Sequence, residues 1–396
     1  MKVAVLVGRY SENAGGAKTY VNIITRELIK ISSNSEIDYV FFSGFHKIKN
    51  LQLIDAPRSA GRISKKIRLL TKFLKDISMS LFLNNAYFVA LYRRICSFVL
   101  NRIMRSHKID FVWSTYPLSF PLKIPFATTV WDLQHRTQPY WPEFTASNNW
   151  QIRDSAFKKV LPLASLIISG TKCGADDINF FYQIPKERII VASFPIIEIK
   201  NQHDKVRNPN LFFYPAQFWP HKNHVNLILG FKLAMGVLGT EMKLVLPGSD
   251  KGNKSYVEET VKKLDLGENV ILPGFISHGE LIDLYQTANG LIFPSYFGPD
   301  NLPPMEGLAY GCSVAVADIK GAKENFNLFD YYFDPSSPED ICNAILYLRE
   351  KPMRSKVNGV NNKDMSFNDR SPAKIIDKIE REILKLDLKF RNWNHD

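Results

Sequence analysis

Cysteine is scarce and scattered in this 396-residue chain: Cys96, Cys173, Cys312 and Cys342 form no C-x-x-C pair. Such spacing argues against a zinc site or a disulfide scaffold and predicts reduced, packed thiols in a cytoplasmic protein. Long apolar runs are missing too. Residues 77–92, ISMSLFLNNAYFVALY, are interrupted by Asn84 and Asn85 and fall short of the roughly 20 residues a membrane span needs. The opening MKVAVLVGRY runs directly into a strand-like segment, without the apolar region and small-residue cleavage site of a signal peptide. No helix-turn-helix, zinc-finger or RNP-like pattern accompanies the basic charge, so nucleic acid is not expected as a partner.

What is present is an uneven charge. The net charge is +12. Residues 58–108 hold twelve Lys or Arg against a single acid, Asp76, which is +11 of that total. Within ISKKIRLLTKFLKDI, Ile63, Ile67, Leu70 and Leu74 recur at helical spacing with cations between them. The pattern fits a basic amphipathic surface lying peripherally on an anionic membrane, on its inner face. A solvated helical face over a core is the plainer alternative.

With 45% hydrophobic residues the chain has material for two cores. In the first half VAVLVG (3–8), YVFFSG (39–44), DFVWST (110–115), FATTVWD (126–132) and SLIISG (165–170) read as strands alternating with helical patterns. In the second half LFFYPA (211–216), KLVLPG (243–248), NVILPG (269–274), GLIFPS (290–295) and CSVAVAD (312–318) do the same. This alternation predicts two parallel, doubly wound α/β domains, divided near the polar linker NQHDKVRNPN (201–210). Proline or glycine ends four of the second-half strands and leaves loops at the carboxyl edge, where open α/β sheets bind ligands.

Four stretches carry the chemistry. Gly15 and Gly16 lie between the first strand and first helix, where small residues and a helix N-terminus suit a phosphate. A P-loop would need glycine at 12 and 17, where this chain has Glu12 and Ala17, and G-x-G-x-x-G is absent. Lys222, in FWPHKNH (218–224), lies on a loop entering a helix, a good place for a cation to meet a diphosphate. Asp132 and His135, in WDLQHR (131–136), could position a substrate hydroxyl, with a structural role as the alternative. In FGPDNLPPMEGLAYG (297–311), backbone amides near Asn301 and Leu302 can face an anion. Glu306, one helical turn on, can accept both hydroxyl protons of a ribose. Amides, a lysine and a carboxylate together describe a nucleoside-diphosphate site.

Those motifs resemble the retaining glycosyltransferases of family 4, similar to bacterial surface-polysaccharide enzymes, and the resemblance is strongest over 210–320. LPPMEGLAYG places Glu306 at the second glutamate of the family's acidic motif, while the first falls on Gly298, with Asp300 a candidate to take over donor contacts. Lys222 matches the family lysine and Gln217 stands roughly where its arginine would be. Gly15-Gly16 resembles the glycine loop, and WDLQHR the HD motif with Trp131 at the histidine position. The resemblance implies a GT-B fold, two Rossmann-like domains facing across a cleft. Residues 1–205 would bind acceptor, 206–370 would bind nucleotide sugar, and 371–396 would form a helix returning to the first domain. It implies transfer of a hexose-type sugar from a GDP- or UDP-linked donor to a glycan hydroxyl on a lipid-linked acceptor, as in O-antigen or capsule synthesis. The donor-binding set is Gly15, Gly16, Gln217, Asn223, Gly248, Asp300, Asn301 and Leu302, and the catalytic set Asp132, His135, Lys222 and Glu306. No cofactor or metal is expected, since no two aspartates are spaced D-x-D. An inactive nucleotide-sugar or glycan-binding protein and a GT-B epimerase are the alternatives.

Overall fold

The computed structural model describes residues 1–8, 10, 15–43, 46–47, 86–145, 148–196, 205–298, 300–325, 328–351 and 369–391. The expected amphipathic segment 63–77 lies outside them. The chain divides into two units, Met1–Pro195 with Pro372–Asp396, and Ile196–Ser371. The first division falls at 195/196, ten residues before the 205/206 that the polar linker suggested.

The first unit is built on strands β1 (Lys2–Val7), β2 (Asp38–Ser43), β3 (His46–Lys47), β4 (Phe111–Ser114), β5 (Phe126–Val130), β6 (Leu166–Ser169) and β7 (Ile189–Val191). Their order is β3-β2-β1-β4-β5-β6-β7. Every pairing is parallel except β2 with β3. Strand periodicity sends alternate side chains into two cores. Val3, Val5 and Val7 meet the helix Gly16–Ile31 through Tyr20, Ile24 and Leu28. Ala4 and Leu6 meet the helix Ala86–Ser106 through Leu100 and Met104. Because both faces are covered, β1 reads as an unbroken apolar run instead of an alternating one.

The helix Pro372–Arg391 also belongs to this unit. Ile375, Ile376, Ile379 and Ile383, at helical spacing, are buried in the same core as Val3 and Val5. Its Glu380 accepts hydrogen bonds from Ser35 Oγ at 2.9 Å and Tyr39 OH at 2.6 Å.

The second unit has six parallel strands, β8 (Asn208–Phe213), β9 (Lys243–Pro247), β10 (Val270–Gly274), β11 (Ala288–Phe293), β12 (Ser313–Ala317) and β13 (Tyr331–Phe333). Their order is β10-β9-β8-β11-β12-β13. The chain runs outward from β8 to β10, then restarts at β11 on the opposite side of β8. Loops after β8 and β11 therefore diverge at the carboxyl edge, the switch point where such sheets take ligands. In the first unit the switch lies between β1 and β4. The sequence did not reveal β3, β7 or β13, which at two or three residues are too short to show a period. No helix of the described residues is long and apolar enough to cross a membrane.

Candidate functional site

At the switch point of the second unit two loops are stitched together. The segment after β8 makes a short turn, Pro220–Lys222, ending at Asn223 with φ 59°. Asn223 Nδ2 donates to the carbonyls of Pro294, at 3.0 Å, and Pro335, at 2.6 Å. Tyr296 N donates to the His221 carbonyl at 2.9 Å. Lys222 Nζ donates to Ser295 Oγ at 3.3 Å and lies 5.4 Å from the centre of the Phe293 ring. A cation from the β8 loop thus stands at the carboxyl end of β11. Asn223, expected to touch donor, uses its amide to clamp three loops.

Gln217 bridges the neighbouring loops: its Nε2 donates to Ser249 Oγ at 3.2 Å and its Oε1 accepts from Trp219 Nε1 at 3.1 Å. Gly248 has no room for a side chain, since a Cβ there would fall 1.9 Å from the Ala216 carbonyl oxygen. Both residues join the ends of β8 and β9.

After β11, Gly298 adopts φ 139°, a conformation that L side chains rarely take, and a Cβ would lie 2.1 Å from Asn301 Oδ1. Asn301 Nδ2 donates to the Gly298 carbonyl at 2.7 Å. The family glutamate that Gly298 replaces could not be inserted without rebuilding this turn. Asp300 does not take over its work. Its carboxylate is buried and paired with Arg370 at 2.8 Å, with side-chain exposures of 1% and 4%. The expectation of Asp300 at the donor is therefore corrected, because a buried charge keeps its partner. Asn301 precedes the helix Leu302–Ala309, whose first two residues include Pro303. Pro303 and Pro304 have no N–H to offer and the Met305 N–H begins the helical ladder, so the amides available to an anion are those of Asn301 and Leu302.

Glu306 lies one turn into that helix. Its Oε2 accepts from Tyr285 OH at 2.9 Å, and Oε1 has no protein partner among the described residues. Burial raises its carboxyl above the ordinary value, against the hydrogen bond from Tyr285 and the field of His278. Tyr285 is fixed in turn by stacking on Tyr310, at 5.5 Å and 4° between planes.

In the first unit Gly15, at φ 64° and ψ −143°, caps the helix Gly16–Ile31. Its carbonyl accepts from Lys18 N at 3.0 Å and Thr19 N at 3.3 Å. Asn13 and Ala14 lie outside the described residues. Asp132 closes β5 and pairs with Arg153 at 2.7 Å, while also accepting from Gln134 N at 2.9 Å. Burial works to raise this carboxyl, but the Arg153 guanidinium and the Gln134 amide outweigh it and hold it below the usual carboxylate range. His135 departs from expectation. Its side chain is fully buried between Phe144, Trp150 and Phe157, with Nε2 3.1 Å from Tyr182 OH. Burial, with the field of Arg153, lowers its pKa to about 4. A neutral imidazole in the core can brace the loop that carries Asp132, but it cannot meet a substrate there.

Arg370, Tyr285, Ser295 and Arg153 escaped the sequence reading, because each acts on a partner far along the chain. No local spacing announces such pairs. Among the described residues no three His, Cys, Asp or Glu side chains gather as metal ligands would.

Comparison with known proteins identifies the class. Residues 195–364 match the family model described as glycosyl transferases group 1. The structure is similar along 97% of this chain to all of HepE from Anabaena, determined with UDP and glucose, at a TM-score of 0.62 and 14% identity. It is similar along 99% of this chain to 98% of sucrose-phosphate synthase from Thermosynechococcus elongatus, at a TM-score of 0.58 and 14% identity. The fold is GT-B, and residues 195–364, less than half of the chain, are similar to the glycosyl transferases group 1 family.

Among curated relatives, the O-antigen chain mannosyltransferase RfbU of Salmonella typhimurium is 27% identical over 180 residues, 45% of this chain and 49% of its own length. The serotype-specific mannosyltransferase WbdA of Escherichia coli is 25% identical over 197 residues, 45% of this chain and 24% of its own length. The match thus spans half or less of these relatives.

Proposed function

We propose that the chain is a retaining glycosyltransferase that moves a hexose from a GDP- or UDP-linked donor to a glycan hydroxyl during surface-polysaccharide synthesis, with the acceptor on a lipid carrier at the cytoplasmic face of a membrane. The observation that carries this reading is that Lys222, from the β8 loop, reaches Ser295 at the end of β11, the strand whose following loop leads through Asn301 into the helix Leu302–Ala309 at the same switch point. Similarity to two O-antigen mannosyltransferases supports the substrate class. In the transfer, the acceptor oxygen bonds to the anomeric carbon as the carbon–oxygen bond to the diphosphate breaks. The acceptor proton passes to the departing diphosphate on the same face. Lys222 and the amides offset the charge that grows on the diphosphate, which lowers the barrier more than it strengthens the ground state. Glu306, with Oε1 turned to accept and Oε2 fixed by Tyr285, holds the ribose. Asp132 is the candidate for orienting the acceptor in the first unit, which is also the proposed acceptor domain.

A thermal-shift screen of nucleotide sugars identifies the donor, and Glu306→Gln then tests the site. Loss of charge-assisted ribose hydrogen bonds should weaken donor binding by about 2–3 kcal/mol while the fold persists. Unchanged donor affinity in the variant removes Glu306 from the site. The absence of an acid at Gly298 and of arginine at 217 favours one other reading, a nucleotide-sugar-binding protein without turnover. Donor consumption measured with and without a lipid-linked glycan separates the two.

A further inference from the structure

The first unit carries a groove of about 590 Å3 that belongs to none of the residues above. It lies between the helix Ala86–Ser106, residues 119–123 of the β4–β5 connection, and the end of the helix Asn149–Val160 with the turn Leu161–Leu163. Arg93, Arg94, Arg102, Arg105, Lys123 and Lys159 line it, and no Asp or Glu does. Of these, Arg93 is structural. It is 8% exposed and donates to Ser155 Oγ at 2.8 Å and the Ile152 carbonyl at 2.7 Å, so its expected place on a membrane-facing surface is corrected. The other five are exposed and form no ion pair among the described residues.

Apolar side chains share the groove with them. Phe98 is 68% exposed and Leu163 is 61% exposed. Arg94, Phe98, Arg102 and Arg105 follow helical spacing along one stripe, which sets a single exposed hydrophobe among three cations. The floor is fixed before any ligand arrives. Ser97 Oγ donates to the Pro121 carbonyl at 2.6 Å, and Lys123 N donates to Asn101 Oδ1 at 2.7 Å.

We infer that this groove docks the phosphate headgroup and proximal acyl chain of an anionic membrane lipid, an inference that rests on the reading that the acceptor is membrane-borne. Cations unpaired among the described residues, set beside exposed Phe98 and Leu163, match a headgroup with its chain; Leu163 adds apolar surface that an acyl chain uses and on which a base cannot stack. The chain's own residues 48–85 are an unsuitable occupant. They carry eight Lys or Arg against Asp55 and Asp76, and like charge repels. The groove also extends the basic surface expected over 58–108 to Lys123 and Lys159, which lie beyond it in sequence.

Co-sedimentation of the full chain with vesicles tests the inference without donor or acceptor, so its failure is distinguishable from failure of glycosyl transfer. Vesicles of phosphatidylcholine containing roughly one-third phosphatidylglycerol should bind the protein, and phosphatidylcholine alone should not. The combination Arg94→Gln, Arg102→Gln, Lys123→Gln and Lys159→Gln should weaken binding more than about tenfold with an unchanged melting temperature, since all four are exposed. Phe98→Ser with Leu163→Ser should weaken it as well. Arg58→Gln, Arg62→Gln, Lys65→Gln and Lys66→Gln, the same loss of charge elsewhere, should leave most of it. Equal losses from both charge sets, indifference to Phe98 and Leu163, or preference for single-stranded RNA over vesicles would each overturn the inference.

Discussion

At the residue scale, the second unit separates side chains that hold the loops from those that the proposed transfer assigns to the donor. Asp300 and Arg370 belong to the first kind. Removing one member of a buried pair strands the other charge, so Arg370→Met should cost about 3–5 kcal/mol of stability. Asp300→Asn should lower the melting temperature while leaving the donor affinity of the folded protein near wild type. A selective loss of donor affinity with an unchanged melting temperature would restore Asp300 to the site. Two buried histidines set a pH dependence. His135 has its pKa lowered to about 4, by burial and Arg153, and His224 to about 3, by burial and Lys222. The unfolded chain takes up these protons near pH 6.5 and the folded one resists, so stability is full above that pH and drains away as pH falls toward 4. Unfolding free energies from urea titrations across this window should drop by an amount on the order of a few kcal/mol. Replacing His224, stacked on Phe218 at 4.5 Å, by phenylalanine should flatten the slope. An unchanged slope would mean that His224 does not titrate as described.

At the scale of elements, the decisive piece is the helix Pro372–Arg391, which ends the described chain yet completes the core of the first unit. Ile379 is fully buried among strand residues from the opposite end of the sequence. Truncation to alanine loses the transfer energy of the side chain and leaves a cavity, a cost of about 2–5 kcal/mol. Hydrogen exchange should show β1 and the helix Gly16–Ile31 losing protection in Ile379→Ala. Protection unchanged there would mean that the helix is not docked in solution. The helix period of its isoleucines is plain in the sequence, but their destination is not. A stripe of isoleucines says that a face is buried without saying against what.

At the scale of the whole molecule, the proposed transfer assigns the diphosphate charge to Lys222 and to amides. The chain has no D-x-D spacing, and among the described residues no cluster of metal ligands. Turnover, once a donor is known, should therefore survive excess EDTA. Complete loss in chelator with recovery on adding manganese would show that a divalent cation shares the work.

The alternation of strand and helix and the glycines that close strand ends were legible in the sequence, because each depends on contacts within a few residues. Local period and turn chemistry fix strands, and a motif read in order locates a carboxylate one helical turn beyond a loop. Burial depends on what the rest of the chain brings. Tertiary packing placed His135 in a core made by Phe144, Trp150 and Phe157, matched Asp300 to Arg370 seventy residues away, and gave Arg93 to the helix beside it. The same packing gathered Lys123 and Lys159 around the helix Ala86–Ser106. A charged or polar residue carries no mark of whether it will meet water, a ligand or a buried partner, since that is settled by desolvation once distant segments close around it.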